Sequence, residues 1–205
     1  MEKQFIIAGT CILLRGGNIN FEKTWKNFAI SENRKKPDIC VTIVSRAKEQ
    51  YYSIEKYNLQ EMPMPLLFRI GSDIMLVSSA WDYSQMLILD NLSNMYAFLA
   101  QIFNSYVLKK QIIQFHSSLI KTNGKGLMFL GPSGIGKTTQ AELWNKYRDA
   151  LIINGDIVFV QETPEAFLGW GTPWHGSSPY CENTSVPLKA MIVLKQAPEN
   201  SIREL

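Results

Sequence analysis

A glycine-rich stretch at residues 131–140 holds the residue types best suited to chemistry. It reads GPSGIGKTTQ, and Gly131, Gly136, Lys137 and Thr138 stand in the register of a phosphate-binding loop. Glycine lets the backbone turn tightly and direct successive N–H groups at one anion, which larger side chains would obstruct. Lys137 is then expected to meet the β- and γ-phosphates, and the Thr138 hydroxyl to ligate Mg²⁺. The pattern predicts that a nucleotide binds to the loop residues Gly131, Pro132, Ser133, Gly134, Ile135, Gly136, Lys137, Thr138 and Thr139.

The neighbours of this stretch support the same interpretation. The apolar run LMFL at 127–130 precedes it and predicts a strand, and a helix is expected to begin at its end. A helix that begins there adds its positive N-terminal end to an anion site. A glycine-rich turn that matches the pattern by chance is the alternative. The position between a strand and a helix favours phosphate binding.

Asp156 is the candidate for the other side of a metal site. It follows an apolar strand and lies 19 residues beyond Lys137. A carboxylate in this position commonly holds the magnesium ion of a bound nucleotide. The alternative is an ordinary turn aspartate, because Asn-Gly-Asp is typical of turns. We favour the metal role, with Thr138 and Asp156 as the metal ligands.

The chain has two histidines, and both are candidate catalytic residues together with Asp156. His116 lies in the strand that precedes the loop strand, where a lone histidine is more often structural. His175 lies in a loop rich in Gly, Pro and Ser at 171–180, where a polar group is readily positioned over a ligand. This loop is favoured as a wall of the active site over a plain connector, and Trp174 either covers the nucleotide or anchors the loop.

Composition limits the classes of protein. The 205 residues are 46% hydrophobic and 19% charged, which is typical of a globular chain, and the net charge of +3 is too small to indicate nucleic-acid binding. Three widely spaced cysteines suggest neither a disulfide framework nor a metal motif, so a reducing, cytoplasmic setting is expected.

No apolar run approaches the roughly 20 residues that span a bilayer, so no membrane partner is expected. The apolar segment at 5–14 favours paired strands over a signal peptide, since Glu2 precedes it and no cleavage pattern follows. Whether the chain forms a homo-oligomer stays open.

The order of the predicted strands and helices divides the chain into two regions. Residues 1–92 are predicted to be rich in strands, and the runs at 65–70, 73–80 and 83–90 follow one another as an antiparallel meander. A helix is predicted over 93–110, with Ser93 as its N-cap and an apolar face packed on a sheet. The residues of that face are Met95, Leu99, Ile102 and Tyr106. The domain boundary is placed before this helix, giving a second domain at 93–205.

The second region predicts a mixed α/β sheet. Asn123-Gly124 is a strong hairpin signal between two strand-like runs, so the loop strand is expected to run antiparallel to its predecessor. This differs from the parallel entry strand of ordinary GTPases. The helix after the loop is expected to bury Leu143, Trp144 and Tyr147, and a short strand is expected at 151–153.

His116, the loop and Asp156 together carry a resemblance. A histidine 15 residues before the first loop glycine, a hairpin between them and an acidic residue after the next strand resemble the catalytic domain of HPr kinase/phosphorylase. Over about residues 110–205 the chain resembles looser HPr-kinase-like proteins, which share the P-loop nucleotide fold of phosphoenolpyruvate carboxykinase. The N-terminal half resembles only the variable β-rich region that precedes this domain.

The resemblance implies an ATP-dependent kinase that uses Mg²⁺. The γ-phosphoryl group would pass to a hydroxyl, with serine first in line, on a protein, a peptide or a small molecule. His116 would assist an acidic residue in taking the proton of that hydroxyl. A non-catalytic ATP-binding sensor or partner-binding module is the second hypothesis. Phosphorolysis or decarboxylation on the same fold is the weakest, since no cluster of arginines is visible near the loop.

Two departures from the family pattern bear on this hypothesis. HPr kinases carry two adjacent aspartates where this chain has Gly155 and Asp156, so one carboxylate is missing unless Asn154, His116 or His175 substitutes. The signature that follows is replaced by GTPWHGSS, which argues against HPr itself as the substrate. Relatives also continue beyond the end of this chain, so a naturally short chain and a fragment both stay open.

Overall fold

The computed structural model describes residues 2–16, 23–30, 36–45, 64–89, 91–199 and 201–204. The chain divides into two compact units between Ile113 and Gln114. Both units contain helices and sheets, so the protein is mixed α/β and rich in strands, as the sequence predicts. None of the helices in the described ranges is long and apolar enough to cross a membrane.

The first unit is built on a seven-stranded sheet. Its strands are β1 (Glu2–Ile7), β2 (Thr10–Gly16), β3 (Ala29–Ile30), β4 (Ile39–Ser45), β5 (Leu66–Ile70), β6 (Asp73–Val77) and β7 (Tyr83–Ile88). They lie in the order β3-β1-β2-β4-β7-β6-β5. In its described residues this unit also has the short helix α1 (Lys23–Lys26) and the longer α2 (Leu92–Val107), which continues into a 3-10 turn at Leu108–Lys110.

The predicted meander is confirmed, because β5, β6 and β7 pair antiparallel in that order. The pairing of β4 differs from this pattern, since β4 runs parallel to both β2 and β7. An apolar run identifies a strand but does not specify the direction of its neighbours. The mixed character of this sheet was therefore outside what the sequence could predict.

Helix α2 buries the predicted apolar face, and Met95, Leu99, Ile102 and Tyr106 are all buried. Its N-cap differs from the prediction, because the Asn91 side chain accepts a hydrogen bond from the Ser93 N–H at 2.9 Å. The helix contacts β6 and β7. It therefore lies in the first unit, and the division between units falls after Ile113 rather than at residue 92.

The described residues of the second unit form six strands and one helix. Its strands are β8 (Ile112–Thr122), β9 (Lys125–Leu130), β10 (Leu151–Asn154), β11 (Ile157–Glu162), β12 (Phe167–Trp170) and β13 (Ser185–Val193), and its helix is α3 (Lys137–Arg148). The strand order is β10-β8-β11-β12-β13-β9, and a further pairing of β8 with β9 closes five of these strands into a barrel.

The hairpin between β8 and β9 is confirmed. Asn123 and Gly124 have φ angles of 49° and 73°, which is the left-handed conformation that a two-residue hairpin turn requires. β9 pairs antiparallel with β8, and its other neighbour is β13, which runs parallel to it. β9 thus enters the glycine-rich stretch while it is hydrogen-bonded on both sides.

The packing of α3 corrects one prediction. Ala141 is fully buried and Trp144 is half-buried against the same apolar cluster, but Leu143 and Tyr147 are 42% and 66% exposed. The buried stripe follows the helical spacing from Lys137 through Ala141 to Trp144. Leu143 follows Ala141 by only two residues and therefore lies on the opposite side of the helix.

Candidate functional site

The glycine-rich loop at residues 131–136 joins β9 to α3 and takes its shape from three glycines. Gly131, Gly134 and Gly136 have φ angles of 144°, 77° and 107°. A Cβ atom at Gly134 or Gly136 would meet nothing within 4 Å, so glycine is needed there for its backbone conformation and not for space. α3 begins directly after the loop without a side-chain cap, and the first N–H groups of a helix have no partner within it. These groups are available to an anion.

Lys137 places a cation in this loop while its side chain is largely enclosed. The residue is only 6% exposed, and its Nζ donates to the carbonyl oxygens of Gly131 at 3.0 Å and Pro132 at 3.1 Å. Within the described ranges, no carboxylate lies at ion-pair distance from this ammonium group. A buried cation that is held by neutral carbonyls alone is not electrically balanced, and this favours an anionic ligand.

Ser118 fixes the start of α3 against the barrel. Its fully buried hydroxyl donates to the backbone carbonyl of Lys137 at 2.8 Å. Because Ser118 belongs to β8, this bond ties the first residue of the helix to the strand that also carries His116. Ser118 belongs to no motif in the sequence that would have marked it as a site residue.

A turn after β10 presents Asp156 beside the start of α3. The Thr138 hydroxyl donates to the carbonyl of Gly155 at 3.1 Å, so Thr138 lies within one peptide unit of Asp156. The backbone of Asp156 is held in turn by β8, because its carbonyl accepts from the Ser117 N–H at 2.8 Å. The two predicted metal ligands therefore lie close together in the second unit. We call the place where Thr138, Gly155 and Asp156 meet the corner.

His116 joins this corner from β8. Its Nδ1 atom lies 3.2 Å from Oδ1 of Asp156, and the two side chains are 50% and 24% exposed. A hydrogen bond to the carboxylate requires that Nδ1 carries a proton, which leaves Nε2 as the acceptor atom of a neutral ring. The structure thus brings His116, Thr138 and Asp156 together.

The loop at 171–180 lies against Asp156 through its backbone. Gly176 has a φ angle of 56°, and a Cβ atom there would come within 2.2 Å of Oδ2 of Asp156. The ring of His175 is engaged inside the loop, where Nδ1 bonds to the Ser178 carbonyl. Trp174 packs edge-on against Phe159 at a centroid distance of 6.2 Å, which anchors the loop. The loop that was predicted to form a wall of the active site thus lies against Asp156, and Gly176 is a residue of it that meets this side chain.

Close packing around Gly155 leaves no room for a second carboxylate in the turn. A Cβ atom at this position would lie 1.9 Å from the Ser178 hydroxyl oxygen and 2.6 Å from the Ser178 Cβ. Ser178 is itself buried, and its hydroxyl accepts from the N–H of Tyr180 at 3.3 Å. An aspartate at position 155 would therefore have no room in this arrangement.

The donor atoms of the corner suit a magnesium ion. The Thr138 hydroxyl, the Asp156 carboxylate and the Gly155 carbonyl all offer oxygen, which hard cations prefer. In the part of the chain that the structure describes, no group of three or more His, Cys, Asp or Glu side chains could hold a metal by itself. A magnesium ion here would depend on phosphate oxygens for further ligands, as is usual for Mg²⁺ with nucleotides.

Comparison with known proteins adds no relative. No protein-family model matches the chain. No curated protein matches it either. The resemblance to the HPr kinase group therefore rests on the motifs of this chain alone.

Proposed function

We propose that the second unit is a P-loop domain of the HPr kinase type and acts as an ATP-dependent kinase with Mg²⁺. Its acceptor would be a hydroxyl, with serine the first candidate, on a protein, a peptide or a small molecule, and its setting would be the cytoplasm. The observation that carries the proposal is the enclosed ammonium of Lys137, whose bonds within the described residues go to the carbonyl oxygens of Gly131 and Pro132 at the uncapped start of α3.

Triphosphate binding follows from the chemistry of the loop. An ammonium group forms stronger hydrogen bonds with phosphate oxygens than with neutral carbonyls, because both partners are charged. Lys137 would therefore exchange the carbonyls of Gly131 and Pro132 for phosphate oxygens. The N–H groups at the start of α3 would add further donors, and the helix dipole would favour the same anion.

Metal binding would use the facing side of the corner. Thr138 would turn its hydroxyl oxygen from the Gly155 carbonyl toward the ion, and Asp156 would supply a carboxylate oxygen. Magnesium would neutralise charge that develops on the transferred group. Because little covalent help is needed in phosphoryl transfer, the positions of these side chains would supply most of the rate.

His116 is the best candidate for the proton acceptor. Asp156 would hold the ring with Nδ1 protonated, so that the half-exposed imidazole offers Nε2 to the acceptor hydroxyl. Imidazole accepts a proton near neutral pH, which suits a general base. In this arrangement Asp156 contacts both His116 and the metal, and a second carboxylate is not needed for proton transfer.

A non-catalytic ATP sensor is the second candidate, and the packing of Ser178 on Gly155 favours it. That contact leaves one carboxylate where HPr kinases have two. If Asp156 is fully occupied by the metal, its hold on His116 would weaken and transfer could be lost while binding persists. The two candidates therefore agree on ATP binding and differ on phosphoryl transfer.

The experiment compares binding with transfer. Mg·ATP is expected to raise the melting temperature of the parent protein, and Lys137→Ala is expected to abolish that shift. Lys146→Ala, which changes an exposed lysine of the same helix, serves as the control and should keep the shift. Transfer of ³²P from γ-labelled ATP to a component of a cell extract, lost in Asp156→Asn, would support the kinase. Binding without transfer would favour the sensor, and a parent protein with no shift would refute both.

A further inference from the structure

The Asn154 side chain is hydrogen-bonded to two separate segments of the second unit, and it lies outside the proposed reaction. It is fully buried at the end of β10. Its Oδ1 atom accepts from the N–H groups of Asp156 at 2.8 Å and Ile157 at 2.9 Å. Its Nδ2 atom donates to the carbonyl oxygens of Thr172 at 3.0 Å and Trp174 at 3.2 Å. One side chain thus joins the turn that carries Asp156 to the loop that lies against it.

These four backbone partners require an amide and exclude a carboxylate. The N–H groups of Asp156 and Ile157 need an acceptor, and the carbonyls of Thr172 and Trp174 need a donor. An amide has both, whereas an ionised carboxylate has acceptors only. An aspartate here would direct a buried negative charge at two carbonyl oxygens. Asn154 is consequently unable to replace the carboxylate that Gly155 lacks.

Thr172 adds a second contact between the turn that carries Asp156 and the loop that lies against it. Its buried hydroxyl lies 2.9 Å from the Ile157 carbonyl and 2.8 Å from the Trp174 carbonyl, so it bridges the same two segments. The Trp174 ring packs against Phe159 of β11. The backbone of the loop is therefore tied to the turn at several points, and Gly176 is held against the Asp156 carboxylate.

We propose that Asn154 is a positioning residue that fixes the turn at 155–157 and the loop at 172–176 as one preformed body, so that Asp156 is presented to the metal in a single orientation. This inference rests on the proposed function for the identity of the metal ligand. Asn154 acts through Asp156 and touches neither the metal nor the nucleotide. Residues that orient metal ligands typically change metal affinity or activity by about 10–100-fold when they are removed.

The first test uses amide hydrogen exchange on the protein without nucleotide. Asn154→Ala is expected to speed exchange about tenfold or more at the N–H groups of Asp156 and Ile157 and at the loop amides of Gly171 and Ser178. Asn154→Asp keeps the acceptor and loses the donor. It should speed exchange at the two loop amides while Asp156 and Ile157 stay protected.

Asn145→Ala is the matched control for this test. Its Nδ2 donates to the Ala150 carbonyl at 2.8 Å, so the same chemical change removes one hydrogen bond outside the corner. All four amides should keep the exchange rates of the parent protein in this variant. Equal exchange in Asn154→Ala and Asn145→Ala would overturn the inference.

The second test measures the Mg²⁺ concentration that gives half of the ATP-induced thermal shift. Asn154→Ala is expected to raise this concentration about tenfold or more, while the affinity for ATP at saturating Mg²⁺ changes little. A general loss of packing would weaken Mg²⁺ binding and ATP binding together. Asn145→Ala should change neither the Mg²⁺ requirement nor the affinity for ATP. A parent protein without any Mg·ATP shift would refute the proposed function itself. A normal Mg²⁺ requirement in Asn154→Ala, with a normal shift in the parent, would overturn only the role of Asn154.

Discussion

Nδ1 of His116 lies 3.2 Å from Oδ1 of Asp156, although the two residues are far apart in the sequence. Strand β8 and the turn after β10 meet at this point, where the Ser117 N–H donates to the Asp156 carbonyl. A backbone hydrogen bond beside the side-chain contact fixes the separation of the two groups. The fold of the second unit therefore fixes the contact between His116 and Asp156, which is not a chance contact between long surface side chains.

Replacement of His116 tests this pair directly. His116→Ala is expected to lower the phosphoryl transfer rate by about 10²–10⁴-fold, since a positioned general base contributes that much, while the Mg·ATP thermal shift remains. His175→Ala is the comparison, and a greater loss of transfer in that variant would contradict the role given to His116.

Gly155→Asp is expected to destabilise the protein and not to restore a two-carboxylate site. The new side chain would overlap Ser178, and overpacking of this kind costs about 1–3 kcal/mol of the free energy of unfolding. The double change Gly155→Asp with Ser178→Gly should recover part of that loss. Urea denaturation measures both values, with Ser178→Gly alone as the control. A fully stable Gly155→Asp protein would contradict the packing described for this turn.

An ion pair in the first unit gives a prediction about pH. Burial tends to raise the pKa of Asp38, but the hydrogen bond from the Cys11 N–H and the contact with Lys110 at 2.9 Å outweigh it, and the pKa is lowered. A carboxylate with a lowered pKa stabilises the folded state above its unfolded pKa. That stability is lost as the pH falls through the folded pKa.

Lys110→Met should therefore reduce stability at neutral pH by about 1 kcal/mol or less, because the pair is partly exposed. The difference from the parent should shrink as Asp38 becomes protonated in acid. Denaturation curves across this pH range measure the effect, and Lys36→Met, at an exposed position, is the control. A difference that grows in acid would contradict the sign of the Asp38 shift.

The N-cap of α2 distinguishes the structure from the sequence prediction. Asn91→Ala is expected to lower the free energy of unfolding by about 1 kcal/mol, because its side chain satisfies an N–H group of the first turn. Ser93→Ala should have a smaller effect, since Ser93 supplies only its backbone N–H to the cap. Thermal or urea denaturation of the two variants decides the matter, and the reverse order would favour Ser93 as the cap.

The sequence predicted the features that depend on neighbouring residues. The glycine-rich stretch, the turn at Asn123-Gly124 and the apolar face of α2 are each encoded within a few residues, because each reflects a local conformation or a helical period. His116 and Asp156 were identified through their spacing from the loop. The structure adds the distance that joins them.

The remaining features depend on contacts between distant segments. The overlap of a Cβ at Gly155 with Ser178, and the bonds from Asn154 to the carbonyls of Thr172 and Trp174, join segments that are distant in the sequence. The NGD tripeptide indicates a turn, but it does not indicate which carbonyls the asparagine amide will face. The parallel pairing of β4 is missed for the same reason, since strand direction is set by partners elsewhere in the chain.

The double pairing of β9 affects the cost of binding a ligand. β9 is hydrogen-bonded to β8 on one side and to β13 on the other. A shift of its register by one residue would break the hydrogen bonds to both neighbouring strands at once. The first glycine after it is therefore stationary relative to β8 before any ligand arrives. An anion that enters the loop would therefore lose little of its affinity to ordering the strand that leads into it.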